Sequence, residues 1–164
     1  MTPARERWRV RCGAYLGPMS VGTRLVIVDD DPLVLDIVTR MFEAHGFTVR
    51  AFVEPERALE SVLEEPPDAL LSDCRMPGMS GPDLCRAVRD RLGPEGPFTV
   101  LWTGDRAHLG ADGERAADVT LDKPTPMAEL VRLIGQRARG RRRRVSGVQR
   151  RHEGHVADAR EETG

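Results

Sequence analysis

The chain has 164 residues, which is enough for one ordinary domain with some length to spare, and its apolar fraction of 40% is sufficient for a core. Its formal net charge of -1 combines arginine-rich ends with an acidic middle, so the total charge indicates nothing about partners. No apolar stretch is long enough to span a bilayer, and the N-terminus lacks the apolar segment of a secretion signal. The three cysteines, Cys12, Cys74 and Cys85, lack metal-ligand spacing and cannot all pair within the chain. We therefore expect a cytoplasmic protein with reduced thiols.

Patterns typical of strands and helices alternate along the middle of the chain. The predicted elements are, in chain order, a strand over Leu25–Val28, a helix over Pro32–His45, a strand over Phe47–Val53, a helix over Pro55–Glu65, a strand over Ala69–Ser72, a helix over Pro82–Arg91, a strand over Phe98–Thr103, a helix within Arg106–Ala117, a strand over Val119–Leu121 and a helix over Met127–Ala138. This alternation predicts an α/β domain over residues 23–138, with a parallel sheet and helices on both faces. Residues 1–22 are predicted to be a disordered lead-in, and residues 139–164 an arginine-rich disordered tail.

Several helix ends and faces can be predicted from single residues. Asp31 stands where an N-cap belongs, and Gly46 stands where a helix ends. The apolar residues of the first helix are expected to form one buried stripe made of Leu33, Ile37, Met41 and Phe42. Gly110 and Gly113 weaken the helix predicted within Arg106–Ala117, so that helix should be short.

Chemically active side chains follow the ends of four predicted strands. Asp29 and Asp30 follow the first strand, Asp73 the third and Lys123 the fifth, while Thr103 is the last residue of the fourth. Because the carboxyl ends of parallel strands meet at one edge of the sheet, these side chains should converge there. Crowded carboxylates favour Mg²⁺, and an aspartate with a lysine and a hydroxyl nearby suits the transfer of a phosphoryl group onto the carboxylate.

The chain resembles the receiver domain of response regulators, the phospho-accepting module of two-component signalling. The stretches that carry this resemblance are Leu25-Val26-Ile27-Val28-Asp29-Asp30-Asp31-Pro32, Asp73-Cys74-Arg75-Met76-Pro77-Gly78-Met79-Ser80-Gly81, Thr103-Gly104 and Lys123-Pro124. They cover the chain from about Arg24 to Arg137, in order and at the intervals of that family. The resemblance implies a doubly wound, flavodoxin-like sheet of five parallel strands in the order 2-1-3-4-5.

The resemblance also implies a magnesium site around the phosphorylated residue. Asp73 resembles the aspartate that accepts the phosphoryl group and also contacts the metal. Asp30 corresponds to the direct Mg²⁺ ligand, Asp29 to a neighbour acting largely through water, and the main-chain carbonyl of Arg75 to a further ligand. Asp31 is left as the cap of the first helix.

Two further residues and the partners follow from the same resemblance. Thr103 resembles the switch hydroxyl and Lys123 the phosphoryl-binding lysine, with Lys123-Pro124 expected to be a cis bond. The implied partners are a histidine kinase or phosphotransfer protein as donor and a downstream protein as target. Such a domain is not an enzyme in the usual sense, since it catalyses only its own phosphorylation and dephosphorylation.

The sequence departs from the family in ways that affect the predicted output. Thr120 stands three residues before Lys123, where the family usually has an aromatic ring that moves with the threonine, so the output surface should behave differently. Arg75 and Asp105 each lie two residues after a site residue. Our hypothesis is that they pair across the site and hinder the water that hydrolyses the aspartyl phosphate. The alternative is two solvated charges that contribute little to each other.

Alternative functions differ in what they ask of these residues. A stand-alone phosphorylated switch needs all of them, whereas a protein-binding module of the same fold that has lost phosphorylation does not. Specific nucleic-acid recognition through Arg141–Arg144 is not expected, because too few residues follow to build a DNA-binding motif. A phosphatase is rejected because Arg75 stands where its second catalytic acid would be. A homodimer through the output surface is left open, and no membrane partner is expected.

Overall fold

Five strands alternate with five helices in the part of the chain that the computed structural model describes, residues 22–106 and 109–140. The elements are β1 (Arg24–Val28), α1 (Pro32–Ala44), β2 (Thr48–Phe52), α2 (Pro55–Glu64), β3 (Ala69–Ser72), α3 (Gly81–Leu92), a 3₁₀ turn (Gly93–Glu95), β4 (Phe98–Thr103), α4 (Gly110–Glu114), β5 (Val119–Asp122) and α5 (127–140). The strands lie in the order β2-β1-β3-β4-β5, and each neighbouring pair is parallel. The predicted α/β fold and strand order are therefore confirmed.

The sheet separates two apolar clusters because successive side chains of a buried strand point to opposite faces. In β1, Leu25 and Ile27 belong to one cluster, and Val26 and Val28 to the other. The first cluster is covered by residues of α1 and α5: Leu35, Val38, Phe42, Leu130, Val131, Ile134 and Ala138. The second is covered by residues of α2, α3 and the segment after α4: Ala58, Val62, Leu84, Cys85, Val88, Ala116 and Ala117. Helices thus cover both faces and leave the carboxyl edge of the strands accessible.

The predicted buried stripe of α1 is wrong for three of its four residues. Leu33 is 74% exposed and Ile37 58% exposed, and Met41 is exposed as well, while Phe42 alone of the predicted stripe is fully buried. The residues that face the sheet are instead Leu35, Val38 and Phe42, which follow the three-and-four spacing of a helical face. Leu33, Ile37 and Met41 consequently form an exposed apolar row, which we call the α1 row.

Both predicted ends of α1 are confirmed. The Asp31 carboxylate accepts hydrogen bonds from the backbone N–H groups of Leu33 and Val34. At the other end, Gly46 adopts a φ of +85°. The N–H of Gly46 donates to Glu43 O and that of Phe47 to Phe42 O. This pair of bonds is a Schellman ending, which favours glycine at the left-handed position.

The helix after β4 is short, as its glycines predict. α4 has five residues, and arginines of α3 bind carbonyl groups in and after it. Arg86 donates to Asp112 O at 3.2 Å, and Arg89 donates to the carbonyls of Arg115 and Ala116. The Lys123-Pro124 bond that follows β5 is cis, as expected.

The predicted lead-in and tail lie almost entirely outside the described residues. The exceptions are residue 22 and residues 139 and 140, and the last two belong to α5 rather than to the tail. Within residues 22–106 and 109–140, no helix combines the length and the apolar character that crossing a membrane requires.

Candidate functional site

The ends of β1 and β3 bring two aspartates together. Val28 pairs with Ser72 in the parallel register, and the N–H of Asp73 donates to Val28 O at 2.8 Å. Asp29 and Asp73 therefore leave neighbouring strands at the same level. Apart from Arg24, the residues of both strands are buried, so the first side chains to reach the carboxyl edge are these two carboxylates.

A single ammonium group joins the two aspartates. Nζ of Lys123 lies 2.8 Å from Oδ1 of Asp73 and 3.0 Å from Oδ2 of Asp29. Lys123 is brought there by β5, whose last residue pairs with Thr103, and its own N–H donates to Thr103 O at 2.6 Å. Lys123 is also the only lysine in the 164 residues, beside 24 arginines. The predicted convergence of Asp29, Asp73 and Lys123 is therefore present.

Backbone groups hold the second oxygen of each aspartate. The N–H of Arg75 donates to Oδ2 of Asp73 at 2.8 Å, and the N–H of Asp31 donates to Oδ1 of Asp29 at 3.0 Å. Each carboxylate is thus fixed at both oxygens. The Asp73 side chain keeps 15% of its surface exposed, so a reactant can reach it from solvent.

The charge of Lys123 is secured by its neighbours. Burial of the ammonium works to lower the pKa of Lys123, whereas hydrogen bonds to Asp73 and Asp29 and the charges of both carboxylates raise it. The net effect is a pKa above the ordinary value of lysine. Lys123 therefore stays protonated at neutral pH and offsets negative charge at the edge of the sheet.

Thr103 lies at the predicted position, but its hydroxyl makes a contact that the sequence did not predict. It is buried, and its Oγ1 accepts a hydrogen bond from the N–H of Asp105 at 3.0 Å. Burial is the main cause that raises the pKa of Cys74, and burial also raises the pKa of Cys85 to about 12. Both thiols are free and uncharged at neutral pH, so they act here as small packing groups.

Only some of the predicted metal ligands contact a common group. Asp29 and Asp73 adjoin the same ammonium, whereas Asp30 is exposed. In residues 22–106 and 109–140 no three histidine, cysteine or acidic side chains converge to form a complete metal cluster. Two carboxylates with water and a main-chain carbonyl nevertheless suit Mg²⁺, which commonly keeps several waters and few protein ligands.

Two charged side chains flank the site and contact each other. Nη1 of Arg75 lies 3.4 Å from Oδ2 of Asp105, which confirms the pairing predicted from their positions. The Arg75 side chain is 77% exposed, so this ion pair contributes little to folding. Because this ion pair lies beside Asp73, it can affect how easily water reaches the site.

The surface beyond β4 is organised by Arg106 rather than by an aromatic ring. Its guanidinium lies 2.6 Å from Glu114 and 3.6 Å from Asp122, and it donates to Thr120 O at 3.4 Å. Hydrogen bonding to Glu114 is the first of the causes that raise the pKa of Arg106. Thr120 itself is half-buried and donates to Glu114 O at 3.4 Å. This polar network stands where the family usually has the aromatic residue.

One residue of the site was missed from the sequence. The ring of Trp102 lies under the Lys123 ammonium, with Nζ 4.9 Å from the ring centroid. The signal that could have found it is the alternation of β4, which sends Trp102 and Thr103 to opposite faces beside the strand that leads to Lys123.

Comparisons with known proteins agree with this geometry. A family model described as the response regulator receiver domain matches residues 25–135. The DNA-binding response regulator MtrA of Mycolicibacterium smegmatis is 34% identical over 117 residues, which are 71% of this chain and 50% of that protein. The chain thus spans about half the length of the curated relatives it matches.

Solved structures give the same result. A CheY-like receiver domain protein from Methanospirillum hungatei JF-1 matches with a TM-score of 0.67 at 24% identity, over 76% of this chain and 99% of that one, which shows the fold. The receiver domain of a sensor histidine kinase from Pseudomonas aeruginosa PAO1 matches with a TM-score of 0.63 at 25% identity, over 72% and 98% of the two chains. That structure has a magnesium ion coordinated in its active site cleft.

Proposed function

Because this chain belongs to the response regulator receiver domain family, we propose that Asp73 accepts a phosphoryl group from a histidine kinase or phosphotransfer protein in a Mg²⁺-dependent reaction. The observation that carries the proposal is the shared contact of Lys123 with Asp73 and Asp29 at the carboxyl edge of the sheet. An accessible carboxylate beside a fixed ammonium is suited to attack phosphorus and then to hold the product.

Phosphoryl transfer needs a nucleophile and a cation that offsets the negative charge of the phosphoryl oxygens. An oxygen of the Asp73 carboxylate forms the new bond to phosphorus, while the bond from phosphorus to the leaving nitrogen of a phosphohistidine breaks. The imidazole leaves with the electron pair of that bond and takes up a proton. Lys123 offsets charge on the phosphoryl oxygens, and the Arg75 N–H keeps the carboxylate oriented. Thr103 is proposed to bind a phosphoryl oxygen once its hydroxyl turns from the N–H of Asp105.

Magnesium would be held beside the same carboxylates. We assign Asp29 and Asp73 as the side chains that would contact it or its waters, with Asp30 and the Arg75 carbonyl as the additional ligands that the family implies. When bound, the ion would neutralise charge on the transferred group. The structure supports this assignment by the close approach of Asp29 and Asp73 to one cation, Lys123.

A fluorescence titration tests the phosphorylation proposal. Trp102 borders the site, so its emission should change with Mg²⁺ and change again with beryllofluoride, a phosphoryl analogue. The beryllofluoride response should be absent from Asp73→Ala, while its circular dichroism stays that of the intact protein. Intact protein that binds Mg²⁺ but shows no response to beryllofluoride, and takes no label from a phosphodonor, would contradict the proposal.

The α1 row is proposed to contact the phosphodonor protein. It begins at Leu33, four residues after Asp29, and exposed apolar rows of this kind mark protein interfaces. We expect Ile37→Asp to slow phosphorylation by the cognate donor protein at least about tenfold, the equivalent of roughly 1.4 kcal/mol. The rate with acetyl phosphate should be unchanged, because that donor needs no docking surface. Equal loss with both donors would rule the α1 row out as a docking surface.

The Arg75–Asp105 pair is proposed to slow loss of the phosphoryl group. Removing the guanidinium in Arg75→Ala should speed hydrolysis of the aspartyl phosphate by up to about fivefold, since the contact is an exposed ion pair. The rate is measured by decay of label after the donor is removed. Asp105→Asn should produce a similar acceleration if the pair is responsible, and an unchanged rate in both variants would show that the two charges are merely solvated.

A second candidate is a protein-binding receiver fold that is not regulated by phosphorylation. Thr120 and the incomplete metal cluster of the described residues favour it, and a Mg²⁺ titration with no spectroscopic response would support it. We propose that either form acts in the cytoplasm and through protein contacts. The MtrA relative is named DNA-binding, so the comparisons do not support the expectation that this chain lacks specific nucleic-acid binding. A salt-dependent gel shift tests whether the chain binds DNA.

A further inference from the structure

Among the described residues, three groups contact the Lys123 ammonium, as many as it has N–H donors. Two are the carboxylates of Asp73 and Asp29, at 2.8 and 3.0 Å. The third is the ring of Trp102, whose centroid lies 4.9 Å from Nζ, within the range of a cation–π contact. Lys123 is half-buried, so the ring also covers part of the ammonium that water would otherwise contact.

We propose that Trp102 is a positioning residue for Lys123, whose ring keeps the ammonium at the site while its hydrogen bonds move from the Asp73 carboxylate to the phosphoryl group. This inference rests on the proposed function. Phosphorylation turns the Asp73 carboxylate into an acyl phosphate, and Mg²⁺ would share the charge of Asp29. Neither phosphorylation nor Mg²⁺ binding changes the attraction of the Trp102 ring for the ammonium. Because lysine has a long and flexible stem, an unchanging partner lowers the entropy that is lost when Nζ reaches the transition state.

Packing alone does not account for a tryptophan at this position. Trp102 is half-buried against the apolar cluster of α1 and α5. Its Nε1 is buried and has no hydrogen-bond acceptor among the described residues. Leucine or phenylalanine would fill this space without burying an unpaired N–H group. What tryptophan adds is the most strongly attracting aromatic face for a cation.

The single lysine makes the contact directly measurable. In protein labelled with ¹³C and ¹⁵N only in lysine, the one set of side-chain signals belongs to Lys123. We expect its Hε signals to be shifted upfield by the ring and to move downfield in Trp102→Leu. Trp102→Phe should retain most of the upfield shift. Lys123 signals at the same positions in wild type and Trp102→Leu would overturn the placement, whether or not the protein is phosphorylated.

Kinetics then test whether the contact matters. Trp102→Leu should lower the maximal rate of phosphorylation by acetyl phosphate about three- to tenfold, the range of a partly buried cation–π contact, and Trp102→Phe should restore part of it. In a Lys123→Met background, Trp102→Leu should cause no further loss. The matched control is Leu133→Ala, which trims the same apolar cluster away from the site and should leave the rate unchanged.

The possible failures of these experiments have different meanings. A wild-type chain that takes no label from any donor would contradict the proposed function, while the lysine signals would still report the Trp102 contact. A normal rate in Trp102→Leu, or the same fractional loss with and without Lys123, would overturn the positioning role and leave the proposed function intact.

Discussion

Replacing Lys123 by alanine should slow phosphorylation of Asp73 by about a hundredfold, the usual effect of removing one group that stabilises developing charge. It should also make part of the folding stability dependent on Mg²⁺. The ammonium is bonded to Asp73 and Asp29 in the structure, and the two side chains keep only 15% and 9% of their surfaces exposed. Without it, two poorly hydrated carboxylates face each other, and a divalent cation is the group that can relieve their repulsion.

Two measurements check this expectation. Single-turnover labelling with acetyl phosphate gives the rate, and thermal unfolding with and without Mg²⁺ gives the stabilisation by the ion. The matched variant is Lys123→Arg, which keeps the positive charge and should show a smaller Mg²⁺ response than Lys123→Ala. If Mg²⁺ raised the Tm of Lys123→Ala no more than that of wild type, the ammonium would not be the group that balances these carboxylates.

The convergence of the site could be predicted because it depends on topology. Once the strands are parallel, the residues that follow β1, β3 and β5 must meet at one edge, and Asp29, Asp73 and Lys123 do so. The roles assigned to them remain predictions. Which of the consecutive aspartates turns inward could not be read from the chain, because it depends on the backbone after β1. There the Asp31 N–H bonds to Asp29, and Asp30 is left exposed.

The face of α1 could not be predicted because the helix offers two apolar rows. One runs through Leu33, Ile37 and Met41, and the other through Leu35, Val38 and Phe42, so helical periodicity fits both. Only packing against the sheet decides between them, and it buries the second row. The Trp102 contact was missed for a related reason. Strand alternation gives the side of the sheet, whereas the distance to Lys123 depends on how the segment after β5 turns.

The output side departs from the family in two ways, which are the short helix α4 and Thr120 in place of an aromatic ring. A five-residue α4 cannot bury much apolar surface, and Arg86 and Arg89 compensate by binding its carbonyl groups. Arg106 then links the segment after Thr103 to Glu114 and to the end of β5. Any movement of Thr103 toward a phosphoryl group would therefore act on ion pairs rather than on a swinging ring. We expect such a switch to be more sensitive to salt, because exposed ion pairs are screened.

The glycine that begins α3 lies against the backbone of Asp73. A Cβ on Gly81 would lie 2.0 Å from the main-chain oxygen of Asp73 and 2.9 Å from Cδ2 of Leu101. The N–H of Gly81 also donates to Cys74 O at 3.0 Å, which holds the two segments together. No side chain can be inserted there unless the backbone of Asp73 or the start of α3 moves. Gly81 is thus required by the closeness of two backbone segments rather than by its own φ.

Gly81→Ala should therefore destabilise the protein by about 3 kcal/mol, although alanine normally favours a helix over glycine. The shift of the Asp73 backbone should also lower the rate at which Asp73 takes up label from acetyl phosphate, because it moves the carboxylate away from Lys123. Urea unfolding gives the free energy, and Gly104→Ala is the control, since a Cβ there meets nothing within 4 Å. A Gly81→Ala protein as stable as Gly104→Ala would mean that the loop after β3 can move to make room for the added Cβ without loss of stability. In that case Asp73 would not be held in place by the start of α3, and its orientation would depend on the Arg75 N–H and Lys123 alone.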